Sequence, residues 1–124
     1  MRRSTRHYLV AVGIVAAGLA RWRPVGRVEV AGDSMSPALL PGDRLVVLRH
    51  VRVRMGDVVA VPDPRLPART MVKRVAAQGP EGVTVLGDNP AASTDSRTLG
   101  PVARAGIRGR AVYRYFPDSR RGLL

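Results

Sequence analysis

The 124-residue chain contains no cysteine, two histidines and only 4% aromatic residues. Without cysteine there is no disulfide, no thiolate nucleophile and no zinc-knuckle spacing. His7 lies in a basic N-terminal stretch and His50 in the arginine-rich run Arg49–Arg54. Two histidines so far apart argue against a metal site, and neither metal nor cofactor is expected. Acids are also scarce, 9 against 21 basic residues, which leaves a formal net charge of +12. Such a balance raises nucleic acid as a partner, but few aromatics leave little to stack on bases, and the arginines are dispersed along the chain. No nucleic acid partner is expected; a solvated basic surface that also favours anionic lipid headgroups is the simpler reading.

A long hydrophobic run is missing too. The apolar stretch Tyr8–Ala20 has 13 residues, with Arg2, Arg3 and Arg6 before it and Arg21 and Arg23 after it. A helix needs ~20 apolar residues to span a bilayer core. A short or tilted anchor, an interfacial helix with Trp22 at the headgroups, and a helix packed on the domain all fit this stretch. Membrane attachment through residues 8–20, at the cell membrane, is the favoured reading, with a cytoplasmic location as the alternative. Arg23-Pro24-Val25-Gly26 reads as a linker.

The rest of the chain is strand-like. Short runs rich in β-branched residues occur at Arg27–Val30, Arg44–Arg49, Gly56–Val61, Thr70–Ala77, Gly82–Leu86 and Gly109–Tyr115, separated by Gly, Pro, Asp and Asn turns. The spacing predicts a mainly β, mostly antiparallel, curled domain with one modest core. We divide the chain into a basic N-terminus, short hydrophobic helix and linker (1–27), a folded domain (28–117) and a frayed tail (118–124). The alternation of Arg and Val over Arg49–Arg54 suggests an edge strand whose charges discourage strand addition.

Between the first two strand-like runs lies Gly32-Asp33-Ser34-Met35-Ser36-Pro37-Ala38-Leu39-Leu40-Pro41-Gly42-Asp43, small and polar, with Ser34 as a candidate nucleophile. A serine hydroxyl needs a base within hydrogen-bond reach and donors for the oxyanion it creates. Neither histidine is well placed for a Ser-His-Asp arrangement. The other base compatible with this chain is a lysine held neutral by burial, and the only lysine among the 21 basic residues is Lys73. An ammonium can lose its proton on desolvation, whereas guanidinium stays charged. A period of two over Thr70–Ala76 puts Met71, Lys73 and Val75 on one face. Composition and alternation alone fit equally well a solvated strand lysine in an arginine-biased sequence. In the loop Gly87–Val102, Ser93 or Ser96 can orient a lysine amine without adding charge, and Asp95 and Arg97 can pair; an ordinary capped turn has the same composition.

Three blocks in order resemble the type I signal peptidase family of serine-lysine proteases. They are Ser34-Met35-Ser36-Pro37 with Leu40-Pro41-Gly42-Asp43, then Val72-Lys73-Arg74, then Gly87-Asp88-Asn89 with Ser93-Thr94-Asp95-Ser96-Arg97 and Gly100-Pro101-Val102. The likeness covers most of Val28–Pro117 and implies a compact curled antiparallel β domain of the kind shared with LexA-type peptidases. It implies Ser34 as nucleophile, Lys73 as general base, Ser93 as the hydroxyl orienting the lysine, Asp95 with Arg97 as a structural pair, and Met35 and Pro37 as residues shaping the turn that presents Ser34. Many members have an oxyanion-hole hydroxyl two residues before the nucleophile; here that position is Gly32. Within the family, the compact length, the segment Gly87–Val102 and Tyr113-Arg114-Tyr115-Phe116-Pro117 look like the proteases that mature nickel-type superoxide dismutase. The substrate so implied is a nickel superoxide dismutase precursor, with a secretory preprotein as the alternative. A self-cleaving or regulatory relative of the LexA-type peptidases, which share a serine-lysine dyad, is an open alternative, although no DNA-reading helix pair is read before Val28. A non-catalytic basic β module binding anionic lipid or nucleic acid is the more distant alternative.

Overall fold

A computed structural model describes residues 24–124. The hydrophobic segment at 8–20, its expected helix, and His7 lie outside the described residues. Seven strands form one sheet: β1 (Val25–Glu29), β2 (Arg44–Leu48), β3 (Val58–Asp63), β4 (Leu66–Gly79), β5 (Gly82–Leu86), β6 (Gly109–Phe116) and β7 (Gly122–Leu123). Their spatial order is β1-β2-β6-β3-β4-β5, with β7 added on β6, and every pairing is antiparallel. The only α-helix among the described residues is one turn, α1 (Ser96–Leu99). None of their helices is long and apolar enough to cross a membrane.

Strand β3 shows why the sheet curls. It lies between β6 and β4, and Val58, Val59, Ala60 and Val61 are all buried. A strand covered on both faces reads as a continuous apolar run, as this one does. Val58 and Ala60 point into one core with Val30, Met35, Leu39, Leu45, Val47, Val72 and Ala111. Val59 and Val61 point into a second with Val75, Val83 and Val85. Each valine so buried contributes roughly 2 kcal/mol of hydrophobic stabilisation. The two cores hold the β1–β2 connection on one side and β4–β5 on the other.

Three local expectations change. Val25 and Gly26 belong to β1, paired with Leu48 and Val47 of β2. Residues 118–124 are not frayed: Asp118–Arg120 make a 3-10 turn, and Gly122 and Leu123 pair with Arg114 and Tyr113. The Arg49–Arg54 run is not a strand. The chain leaves the sheet at His50, whose φ of 59° reverses its direction. Arg54 and Asp57 then close a turn, with Arg54 N–H donating to Asp57 Oδ2 and Asp57 N–H to Arg54 O.

Candidate active site

The β1–β2 connection is a loop pinched at its neck. Val30 N–H donates to Asp43 O at 2.8 Å, and Gly42 N–H donates to Val30 O at 2.8 Å. Gly42 has φ +90°, a conformation in which a Cβ would be strained. Beyond the neck, Met35 and Leu39 are buried in the first core, so the apolar side of the loop is bolted down and Ser34, half-buried beside Met35, is held in place. Pro37 is exposed on the outer turn, after a cis peptide bond with Ser36. A third tether comes from the far side: Asn89 N–H donates to Ser34 O at 2.8 Å, and Asn89 Nδ2 to Asp33 O at 3.2 Å.

Strand β4 supplies Lys73. It pairs with Val59, and its strand neighbours Met71 and Val75 both pack in the second core. The period of two therefore puts Lys73 on the face that carries these apolar side chains, and the residue is only 4% exposed. Ser34, Gly32 and Lys73 line one cavity of about 140 Å³ together with Asp63, Arg65, Arg69 and Thr94. His50 lines a different cavity, whereas Lys73 shares one with Ser34.

The loop after β5 completes the arrangement. Lys73 Nζ donates to Ser93 Oγ at 3.1 Å, and Ser93 Oγ donates to Asp95 Oδ2 at 2.6 Å. Because the one hydroxyl proton of Ser93 goes to Asp95, the hydroxyl oxygen meets the amine as an acceptor. Ser96 does a different job: its Oγ accepts from Val85 N–H at 2.9 Å and ties α1 to β5. Asp95 is 1% exposed. It caps α1 by accepting from Arg97 N–H at 3.1 Å, forms a two-pronged pair with the Arg97 guanidinium at 3.0 and 2.6 Å, and accepts from Gly87 N–H at 2.9 Å. The capped turn and the lysine-orienting loop are thus one structure, and Asp95 serves both.

These contacts set the charges. The Arg97 guanidinium, then the hydrogen bonds from Ser93 and from the Gly87 and Arg97 amides, outweigh burial and hold the Asp95 carboxyl well below the usual carboxylate range. Burial pushes the Lys73 ammonium below its ordinary value. The attraction of Asp95 opposes that shift, while repulsion from Arg97, Arg65 and Arg69 adds to it. Arg65 is itself held by the buried Asp63 through two side-chain hydrogen bonds of 3.0 and 2.9 Å. The site therefore pairs a desolvated amine with a carboxylate whose charge is largely spent on arginine. Among the described residues no cluster of His, Asp and Glu could hold a metal ion.

Some residues at the site were not singled out by sequence reasoning. Gly87 lies so close to the site that a Cβ there would overlap Ser93 Oγ and stand 2.7 Å from Ser34 O. Asp43 is buried at the loop's neck against Arg114 and Arg120, at 3.1 and 3.2 Å. Gly87 and Asp43 sat within quoted motifs, but nothing in one dimension announced what each touches. The pairing with Arg120 in particular needs the ordered C-terminal turn.

With this geometry established, comparison with known proteins gives a family. The model for signal peptidase, peptidase S26, matches residues 1–85 and 80–116. The mitochondrial ATP-independent inner membrane protease subunit 1a of Arabidopsis thaliana is 34% identical over 128 residues, covering 81% of this chain and 76% of the relative. The mitochondrial inner membrane protease subunit 2 of Mus musculus is 32% identical, covering 91% and 78%. A protein described as probable signal peptidase I-1 from Synechocystis sp. is 29% identical, covering 94% and 84%.

Proposed function

The chain belongs to the signal peptidase family, peptidase S26, and is a serine endopeptidase; from that premise we propose that Ser34 is its nucleophile and Lys73 its general base. The observation that carries this reading is the buried amine of Lys73, held by Ser93 in the cavity that Ser34 also lines. Neutral Lys73 has one lone pair and two N–H bonds. One N–H is used on Ser93, which leaves the lone pair for the Ser34 proton.

The reaction is acyl transfer. Lys73 takes the Ser34 proton as Oγ bonds to the scissile carbonyl carbon, and the carbonyl π pair moves to its oxygen. Collapse expels the amine of the leaving segment, which takes a proton from the Lys73 ammonium, and leaves an ester on Ser34. Water then gives a proton to Lys73 and attacks the ester; collapse expels the Ser34 oxygen, which takes that proton back from the Lys73 ammonium, and the new carboxylic acid leaves as its carboxylate by losing a proton to solvent. The oxyanion meets the backbone N–H of Ser34; Gly32 offers no side-chain donor. Ser93 and the Asp95–Arg97 pair act through the amine and are positioning residues. The substrate is an extended precursor segment docked along a strand edge. Residues Leu66–Lys73 of β4 have such an edge, since β5 pairs only from Arg74 onward.

The specific substrate we propose is the N-terminal leader of a nickel-type superoxide dismutase precursor, supported by the wording of Gly87–Val102 and of Tyr113-Arg114-Tyr115-Phe116-Pro117. Nickel would then be the cofactor of the substrate. A second reading, removal of signal peptides from secreted preproteins, is favoured by the relatives described as a signal peptidase and as inner membrane proteases. Both readings suit attachment to a membrane through residues 8–20. The test is the intact mass of each precursor after co-expression with the chain or its Ser34→Ala variant. A defined N-terminal loss from the dismutase precursor, seen only with the active chain, supports the first reading. Cleavage confined to the secretory preprotein supports the second, and cleavage by Ser34→Ala removes the nucleophile assignment.

A further inference from the structure

A cavity larger than the one holding Ser34 lies elsewhere on the domain. It has a volume of about 1030 Å³, and its wall includes Arg49, Arg52, Arg54, Arg104 and Arg108, with no acidic side chain in the lining. Arginines that looked dispersed in the sequence are gathered here by the fold: the run after β2 forms one side and the loop before β6 the other. Half-buried Val53 and Ile107 belong to the same lining and pack beneath on the second core, giving an apolar floor under a cationic rim. Met55, 69% exposed, stands at the edge.

The position of this cavity is informative. Arg49 N–H donates to Pro24 O at 2.7 Å, so the cationic wall begins beside the first described residue. In sequence, Pro24 stands four residues after Ala20, the end of the apolar segment 8–20. If that segment lies at a bilayer, chain connectivity alone keeps Pro24 and the rim beside it within roughly 15 Å of the segment's end. Arg104 and Arg108 are partly engaged, donating to Gly79 O and to Pro67 O and Thr70 Oγ1. The guanidiniums of Arg52 and Arg54 extend from an exposed non-strand segment. A cationic rim over an apolar floor matches a phosphodiester headgroup with the first methylenes of its acyl chains.

We propose that this cavity is a docking site for the headgroup of an anionic phospholipid, orienting the domain on a membrane independently of its catalytic site. The two cavities share no lining residue; Arg108 does bond Pro67 O and Thr70 Oγ1 on the β4 edge, so the variants that separate headgroup binding from cleavage are those of Arg52 and Arg54.

The test uses the full chain and vesicles of phosphatidylcholine with or without phosphatidylglycerol. The expected result is a preference for the anionic vesicles that falls roughly 30-fold in R52Q/R54Q, each basic residue at an anionic surface being worth about fivefold. The control R44Q/R121Q removes the same charge from outside the cavity and is expected to keep most of the preference. An equal fall in both double variants means general Coulomb attraction and overturns the site. The single variant R52Q, with an expected fivefold loss, is decisive where the double variant alters the thermal transition. Soluble dihexanoyl-phosphatidylglycerol, dihexanoyl-phosphatidylcholine and inorganic phosphate are then compared by amide chemical shifts. Shifts at residues 49–55 and 104–109 with the glycerol lipid alone support the proposal; equal shifts with phosphate assign the cavity to a free anion and overturn it. Tighter retention on a single-stranded oligonucleotide than on anionic vesicles at the same salt overturns it in favour of nucleic acid.

Discussion

Arg114 reaches from β6 to Asp43 at the neck of the loop that presents Ser34, with Nη1 3.1 Å from Oδ2. The same nitrogen donates to Ala38 O at 3.1 Å, and Arg114 Nε donates to Arg120 O at 2.5 Å. Asp43 is only 2% exposed and also accepts from Leu40 N–H at 2.9 Å. Seventy residues of sequence separate the pair, yet with Arg120 it fixes the loop at its end, Asp43, and at Ala38 against the C-terminal turn.

Removing one member of such a buried pair leaves the other uncompensated, at a cost of about 3 kcal/mol. Asp43→Ala is therefore expected to lower the thermal midpoint by about 10 °C or more. Because the change relaxes the Ser34 loop and leaves the β4 edge intact, cleavage should lose kcat more than it gains KM. Steady-state kinetics below the lowered midpoint check this, and an unchanged kcat would mean that the neck does not position Ser34.

Lys73→Arg keeps charge but cannot deprotonate at any working pH. It is expected to reduce cleavage to the level of Ser34→Ala, while His50→Ala leaves it largely intact. Lys73→Met should be equally inactive and more stable. Burial lowers the folded-state pKa of Lys73, so the unfolded chain binds that proton more readily and the lysine destabilises the fold at low and neutral pH. This penalty disappears as pH rises toward the unfolded value of ~10.4. Differential scanning calorimetry should show a midpoint some degrees higher for Lys73→Met at neutral pH and a shrinking difference at alkaline pH.

Arg97 repels the Lys73 ammonium and also spends the charge of Asp95. Arg97→Gln removes both effects, and both changes favour the protonated amine. The rising limb of kcat/KM against pH is expected to move to higher pH, with activity several-fold lower at neutral pH and recovering on the alkaline side. A uniform loss at all pH values would indicate a collapsed loop rather than a retuned base.

Gly87→Ala tests the closest approach in the site. The added Cβ would overlap Ser93 Oγ and crowd Ser34 O, so Ser93 must leave Lys73 or the loops must separate. A displacement of about 1 Å at reacting groups can cost about 100-fold in rate. We expect a folded protein, by circular dichroism, with at least that loss in kcat/KM. Near-normal activity would show that the Ser93 contact is dispensable.

The strands were legible because burial imposes a period. Gly82–Leu86 is β5 as read, and Met71, Lys73 and Val75 fall on the face that alternation assigns them. Strand β4 runs past Thr70 to Leu66 because Arg65 and Asp63 lock the hairpin turn, a contact hidden in what reads as a proline-rich break. The Arg-Val alternation after β2 misled for a related reason: Val51 and Val53 are half-buried as in a strand, but His50 turns the chain away from any partner. Tertiary contact decides such cases. The side chains proposed to carry the chemistry, Ser34, Lys73 and Ser93 among them, were visible as residue types. Their supports, Arg114 and Arg120 with Asp43, depend on a C-terminal turn with no periodic signal at all.

Gly32 leaves the site without a side-chain donor two residues before Ser34. It lines the cavity beside Ser34, and a Cβ built there meets nothing within 4 Å. Its backbone is not in the left-handed region, so a larger residue enters without strain. A side-chain donor in an oxyanion hole is worth ~3 kcal/mol when its removal is measured, because it strengthens as charge develops on the carbonyl oxygen. Gly32→Ser should therefore raise kcat, by about tenfold if the hydroxyl is only partly aligned, with KM little changed, since the ground-state carbonyl gains less from the donor than the oxyanion does. Gly32→Ala fills the same space without a donor and separates chemistry from packing. A gain in the serine variant alone makes the oxyanion hole of this chain incomplete by one donor. Equal rates for the two variants would mean that a hydroxyl at position 32 does not face the oxyanion, and that the carbonyl of the substrate lies on another wall of the cavity.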